Sequence, residues 1–187
     1  MSVRVVAGSL KGRALVTPAG LSTRPTAGRA REAMFSILGG VSGLTVLDLY
    51  AGSGALGIEA LSRGAARAVF VENDRKAAAC LRENIERLAL GERARLFPVR
   101  AETAPRVLEA ERFELVFCDP PWAVLDAAIE VLAGLVGRFA ESARVVLEHP
   151  APRVPAVRGL VAVDARRWGD TGATFFERAV ADPAADD

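Results

Sequence analysis

The sequence predicts an α/β fold: a doubly wound sheet of seven strands, parallel except for an antiparallel hairpin at one edge, with a small β-hairpin and helix added at the N-terminus. Three observations predict it. Short apolar runs alternate with amphipathic helical patterns from residue 44 to residue 148. A glycine-rich turn, AGSGALG, follows the first of those runs. The last two β-type runs are joined only by the segment around Trp168–Gly172, which leaves no room for a crossover helix.

The elements follow in order. Residues 3–7 and 13–17 are β-type runs around Gly8-Ser9-Leu10-Lys11-Gly12, a hairpin pattern. Pro25-Thr26 opens a helical pattern with Ala30, Met34, Phe35, Ile37 and Leu38 on its apolar side, stopped by Gly39-Gly40. Strands are expected at 44–50, 68–72, 94–99, 113–118 and 143–148, with helices at 55–63, 75–88, 104–109 and 124–140 between them. Such alternation implies right-handed crossovers and a parallel sheet covered on both faces. Runs 160–165 and 174–179 then form the antiparallel edge pair. Residues 1–40 thus read as an extension, 41–180 as the main domain, and 181–187 (ADPAADD) as a disordered tail.

Composition narrows the function classes. Half of the 187 residues are hydrophobic, 51%, so a sizeable core is available. No apolar run approaches the ~20 residues of a membrane span, and the first residues lack the apolar stretch of a signal peptide. Cys80 and Cys118 are the only cysteines, and Cys118 lies inside an apolar run, so free thiols and a cytoplasmic location are expected. His149 has no partner histidine, and no metal site is expected. Nothing suggests a coiled or symmetric interface, so the chain is expected to be a monomer. Net charge is only +1, but residues 1–40 carry six basic residues against Glu32 alone. A basic arm on a mildly acidic body is the asymmetry of a face that meets phosphate.

Two stretches carry the chemistry. In VLDLYAGSGALG, residues 46–57, Gly52, Gly54 and Gly57 match GxGxxG between a strand and a helix, where missing Cβ atoms let a cofactor approach the backbone. Asp48 at the strand end would repel a pyrophosphate and favour a cationic amine. Glu72, at the end of the next strand, can hold both hydroxyls of a ribose. A ribose, a positive amine and no phosphate describe S-adenosylmethionine. The second stretch, FELVFCDPPW at 113–122, ends a buried strand on Asp119, two prolines and Trp122. If the first and fourth strands flank the switch in strand order, Asp119 lies beside the glycine turn. Asp119 and the Pro120 carbonyl are then adjacent acceptors for the two protons of an exocyclic amine. Trp122 offers a stacking face for a base taken out of its helix.

The Asp48…Gly52-x-Gly54 motif, Glu72 and DPPW resemble the class I S-adenosylmethionine-dependent methyltransferases that modify exocyclic amines. RVVAGSLKGR (4–13), RPTAGRAREAMF (24–35) and DLYAGSGALGIEALSRGA (48–65) closely resemble the RsmD family, bacterial 16S rRNA guanine-N2 methyltransferases, from about Arg4 to Arg178. The resemblance implies a Rossmann-like sheet and a guanine of small-subunit rRNA as substrate. It implies that Asp48, Ala51, Gly52 and Gly54 line the methionine side of the cofactor, that Glu72 and Asn73 meet its ribose, and that Ala101 or Glu102 borders the adenine. Asp119 and Pro120 would hold the guanine N2 amine with Trp122 stacked on the base, where the family usually has Phe or Tyr. Arg4, Lys11, Arg13, Arg24, Thr26, Arg29 and Arg31 would contact RNA, with an Arg31–Glu32 ion pair the alternative for Arg31. Adenine N6 in RNA or DNA is the rival substrate, and a non-catalytic RNA-binding assembly factor is the rival class.

Overall fold

The computed structural model describes residues 3–18 and 25–179, with residues 25–27 described by their backbone alone. Arg24 and the tail expected at 181–187 lie outside the described residues, as does the side chain of Thr26. Seven strands form one sheet: β1 (Thr45–Leu49), β2 (Arg67–Val71), β3 (Ala94–Phe97), β4 (Phe113–Cys118), β5 (Phe139–Pro150), β6 (Leu160–Trp168) and β7 (Thr171–Arg178). Their order is β3-β2-β1-β4-β5-β7-β6. β1 pairs in parallel with both β2 and β4, so the strand order reverses beside it. β7 lies antiparallel between β5 and β6, and the edge hairpin is as expected.

The helices are α1 (Pro25–Leu38), α2 (Ala55–Ser62), α3 (Arg75–Arg87), α4 (Ala104–Val107) and α5 (Leu125–Leu135). Asp74 caps α3 by accepting from the Lys76 and Ala77 N–H groups, two of the donors a helix start leaves unpaired. The helix expected over 124–140 is shorter. It ends at Leu135, passes through one 3₁₀ turn (Val136–Arg138), and gives way to β5 at Phe139. The reason is tertiary: Phe139 pairs with Phe113 and both rings are buried, which outweighs the local helical pattern.

Strand alternation divides the core into two layers. Val46, Phe70, Phe117 and Val146 face one layer, which also holds Val5 and Leu15 of the N-terminal segment and Met34, Phe35 and Leu38 of α1. Leu47, Leu49, Val116, Cys118 and Leu147 face the other, against Ala104 of α4 and Leu132 and Leu135 of α5. The N-terminal hairpin forms around an antiparallel bridge, Arg4 to Ala14. Both cysteines are free. Among the described residues no helix is long and apolar enough to cross a membrane.

One buried carboxylate fastens that hairpin to the sheet layer. Glu59 of α2 accepts the backbone N–H groups of Val6 at 2.7 Å and Ala7 at 2.9 Å. It also accepts from Arg63 Nε at 2.8 Å, and Arg31 Nε stands 3.6 Å away. Nearby, Ser62 Oγ accepts the Leu10 N–H and the Ser9 N–H donates to the Ser62 carbonyl. Removing one side of a buried charged network strands the other side without water. Glu59→Gln is therefore expected to lower unfolding free energy by about 3–5 kcal/mol, read by urea denaturation; a loss well under 1 kcal/mol would show that the hairpin is held by packing alone.

Candidate active site

The site forms where β1, β2, β4 and β5 end. Asp48 aligns with Phe117 across β1 and β4, and the Asp119 N–H extends that pairing to the Leu49 carbonyl at 3.4 Å. DPPW thus stands beside the glycine turn. The chain leaves β1 through Tyr50, whose φ of 59° is unusual for a residue with a Cβ, then through Gly52 at φ 57° and Gly54 at φ 84°. The Tyr50 hydroxyl is buried without a hydrogen-bond partner, and burial pushes its pKa up to about 12.

Two carboxylates brace this turn. Asp48 is fully buried, and its Oδ2 accepts the Gly57 N–H at 2.9 Å. Burial pushes its pKa well up, against the Gly57 hydrogen bond, which favours the charged form. Glu72 is also buried; it accepts the Gly52 N–H on Oε2 and the Asp74 N–H on Oε1, each at 2.7 Å. Both oxygens keep a second lone pair for a ligand hydroxyl.

The three motif glycines do different work. A Cβ on Gly52 would meet nothing within 4 Å, so this backbone is open to an approaching ligand. A Cβ on Gly54 would lie 2.4 Å from Leu81 Cδ1, and one on Gly57 would lie 2.3 Å from the Phe70 ring. Those two glycines let α2 pack on α3 and the sheet. Packing alone thus demands glycine at Gly54 and Gly57, whereas Gly52 borders open space.

Asp119 sits in a recess, crowded by protein yet open to solvent at its mouth. That crowding pushes its pKa up to about 6. Pro120 is buried, and Pro121 leads into a 3₁₀ turn, Trp122–Val124, closed by the Val124 N–H donating to the Pro121 carbonyl at 2.9 Å. Trp122 is 45% exposed. Ala51 is buried and Asn73 exposed. After β3, Ala101 is buried in a 3₁₀ turn, while Glu102 is exposed, 3.4 Å from Arg100.

Arg4, Lys11 and Arg13 are exposed on the hairpin, and Arg29 is exposed on α1. Arg31 departs from both expectations made for it. It is only 6% exposed, donates from Nη2 to the Arg4 carbonyl at 2.6 Å, and faces Glu59 rather than Glu32. That burial replaces the RNA contact assigned to it. His149 is buried, with Nε2 at 2.8 Å from Thr174 Oγ1 and Nδ1 at 3.1 Å from the Pro150 carbonyl. The ring fills the space above Gly172, a structural role.

The sequence reading missed Glu59, Tyr50 and Glu148. Glu148, near the end of β5, follows Leu147, the register partner of Cys118, and it feels the charge of Asp119, which follows Cys118. Its signal was a strand ending on an acid in VVLEHP, the same signal that marked Asp48, Glu72 and Asp119.

This sheet order, with an acidic strand end and a glycine turn beside a DPPW loop, defines a Rossmann-like methyltransferase architecture. The family described as Conserved hypothetical protein 95 matches residues 3–177, and the chain belongs to it, the RsmD family of the sequence resemblance. YlbH of Bacillus subtilis (strain 168), provisionally named an rRNA methyltransferase, is 35% identical over 184 residues, 94% of this chain and 99% of its own. Ribosomal RNA small subunit methyltransferase D of Escherichia coli K12 is 36% identical, covering 82% of this chain and 80% of its own. The solved structure of yhhF from Escherichia coli, provisionally described as a methyltransferase, superposes with a TM-score of 0.81 at 31% identity, over 95% of this chain and 98% of that one.

The division among the glycines is testable by double-mutant cycles. Gly57→Ala is expected to cost about 1–3 kcal/mol by overpacking, and Phe70→Leu, which withdraws the ring, should couple to it by about 1 kcal/mol or more. Gly52→Ala, strained by about 1–2 kcal/mol at its positive φ, should show no coupling to Phe70→Leu. Equal coupling at both positions in urea denaturation would contradict the division.

Proposed function

We propose that this chain transfers the methyl group of S-adenosylmethionine to the exocyclic N2 amine of a guanine in 16S rRNA within the small ribosomal subunit, acting in the cytoplasm as a monomer. The observation that carries the reading is that Asp119 and Pro120 directly follow β4, the strand paired with β1 beside the Asp48–Gly52 turn. The names of the family's curated relatives supply the rRNA class.

The residues present fit the cofactor. Gly52 leaves open space at the turn, Glu72 has lone pairs for a ribose, and the acidic strand ends favour a cation over a pyrophosphate. Asn73, and Ala101 or Glu102, would flank its ribose and adenine. When bound, S-adenosylmethionine supplies an electrophilic methyl carbon on a sulfonium. The chain's own work is positioning and electrostatics. Asp119 and the Pro120 carbonyl accept the two amine protons, which turns the nitrogen lone pair away from ring conjugation and toward the methyl group. The charge on Asp119 favours the amine as it becomes cationic, and the extra proton then leaves to water. Trp122 stacks on the extruded base. Arg4, Lys11, Arg13 and Arg29 lie on the exposed side of the N-terminal segment, where RNA phosphates would add to affinity. Arg24 and Thr26 join them in this reading.

The test is methyl transfer from labelled S-adenosylmethionine to small subunits lacking the modification, to naked 16S rRNA and to duplex DNA, with nucleoside analysis. N2-methylguanosine on the subunit is the expected product. N6-methyladenosine would keep the chemistry and overturn the substrate, and cofactor binding with no transfer would favour a binding factor.

Asp119 also sets a pH dependence. With its pKa raised to about 6, the carboxylate that accepts the amine protons is lost as pH falls through that value. Asp48 and Glu148 face the same recess and are pushed up by burial as well, so the acid limb belongs to the group. kcat/KM should fall below about pH 6, and Asp119→Ala should reduce turnover at neutral pH by ~10²-fold or more with cofactor still bound. A rate that is flat from pH 8 to pH 5, or normal turnover in the variant, would overturn the role.

A further inference from the structure

Three adjacent strands, β1, β4 and β5, each carry one carboxylate at the carboxyl end: Asp48, Asp119 and Glu148. Glu148 alone has no role so far. Cys118 and Leu147 are register partners and both point into the α5 layer. Alternation turns the next residue of each strand, Asp119 and Glu148, to the opposite face, which Phe117 and Val146 share. This is the face that Arg31 of α1 approaches. Glu148 is half-buried there, and burial and the charges of Asp119 and Asp48 all push its pKa up while Arg31 opposes them. Arg31 is itself fixed by the Arg4 carbonyl and Glu59. Among the described residues no group of three or more His, Cys, Asp or Glu side chains could hold a metal ion, so the row is not a metal centre.

We propose that Glu148 accepts the N1–H of the target guanine and so selects guanine against adenine. The inference rests on the guanine-N2 reading given above. The Watson–Crick edge of guanine presents three adjacent protons, one on N1 and two on N2. Glu148, Asp119 and the Pro120 carbonyl supply three acceptors. Adenine presents its exocyclic amine beside a lone pair on N1, which a carboxylate repels. Guanine N1–H favours the charged form of Glu148 against the push of burial, as does Arg31, which acts as a positioning residue. Protonated Glu148 would instead donate to the adenine N1, so the placement of Arg31 beside it favours the guanine reading. Selectivity of this kind is strong because the wrong base leaves a buried polar group unpaired.

The probe is 2-aminopurine, which keeps the N2 amine and replaces N1–H by a lone pair. Small subunits are reconstituted with guanine or 2-aminopurine at the nucleotide identified in the transfer assay. The wild-type chain should prefer guanine by about 10- to 100-fold in kcat/KM. Glu148→Gln, nearly isosteric, can turn either an oxygen or an NH₂ to N1 and should bring the two substrates within about threefold. Glu148→Ala should erase the preference by slowing guanine. Retained S-adenosylhomocysteine binding, read by calorimetry, shows that both variants are folded. N2-methylguanosine from wild type with an unchanged ratio in Glu148→Gln would overturn the role of Glu148 alone. No N2-methylguanosine from wild type would overturn the guanine reading and this inference together.

Discussion

The site depends on holding carboxylates side by side at the ends of neighbouring strands without letting them neutralise one another's function. Each is managed by a different means. Asp48, fully buried, is stabilised in its charged form by the Gly57 N–H. Glu72 is fixed by two backbone donors. Asp119 remains open to water at the mouth of its recess. Glu148 has Arg31 opposite it. Like charges at close range are costly in a low dielectric, so the row is poised to receive positive charge. In the proposed reaction a sulfonium and an amine turning cationic are two such charges.

The basic hairpin is coupled to this row through Arg31. Its guanidinium touches the Arg4 carbonyl on the hairpin, stands near Glu59 on α2, and acts electrostatically on Glu148. A surface arginine contacting RNA would have left Glu148 facing only Asp48 and Asp119. The physical reason to bury an arginine here is therefore electrostatic balance, and its cost is met by Glu59, which also carries the Arg63 pair and two hairpin N–H groups.

Much of this was legible in the sequence because it is local. The strand–helix alternation, the strand-ending acids Asp48, Glu72 and Asp119, and the DPPW turn all carry their signal within a few residues, and the adjacency of the first and fourth strands was expected of a chain that winds outward both ways. What was missed is non-local. Glu59 reads as a surface position on a short helix until the hairpin 52 residues away, measured from Ala7, folds over it. Arg31 has an acidic neighbour in sequence, Glu32, yet its buried environment is set by Glu59 on another helix. Phe139 sits in a helical pattern and is drawn into β5 by Phe113. The glycine motif was legible as a turn, but which glycine borders open space and which lies against Phe70 depends on side chains from other elements.

Helix α2 explains why hairpin and site act as one frame. Gly57 and Glu59 are two residues apart, about 200° around a helix, so they look in opposite directions. Gly57 lies against Phe70 and donates to Asp48, on the sheet side. Glu59 receives Val6 and Ala7, on the hairpin side. The helix begins at Gly54, whose left-handed conformation is set by the same turn that presents Gly52. The hairpin contact at Glu59 and the Asp48 brace at Gly57 therefore lie within one turn of one short helix. In the proposed reaction this shared helix ties phosphate contacts at the hairpin to the geometry of the site, where a misplacement of about 1 Å is worth orders of magnitude in rate.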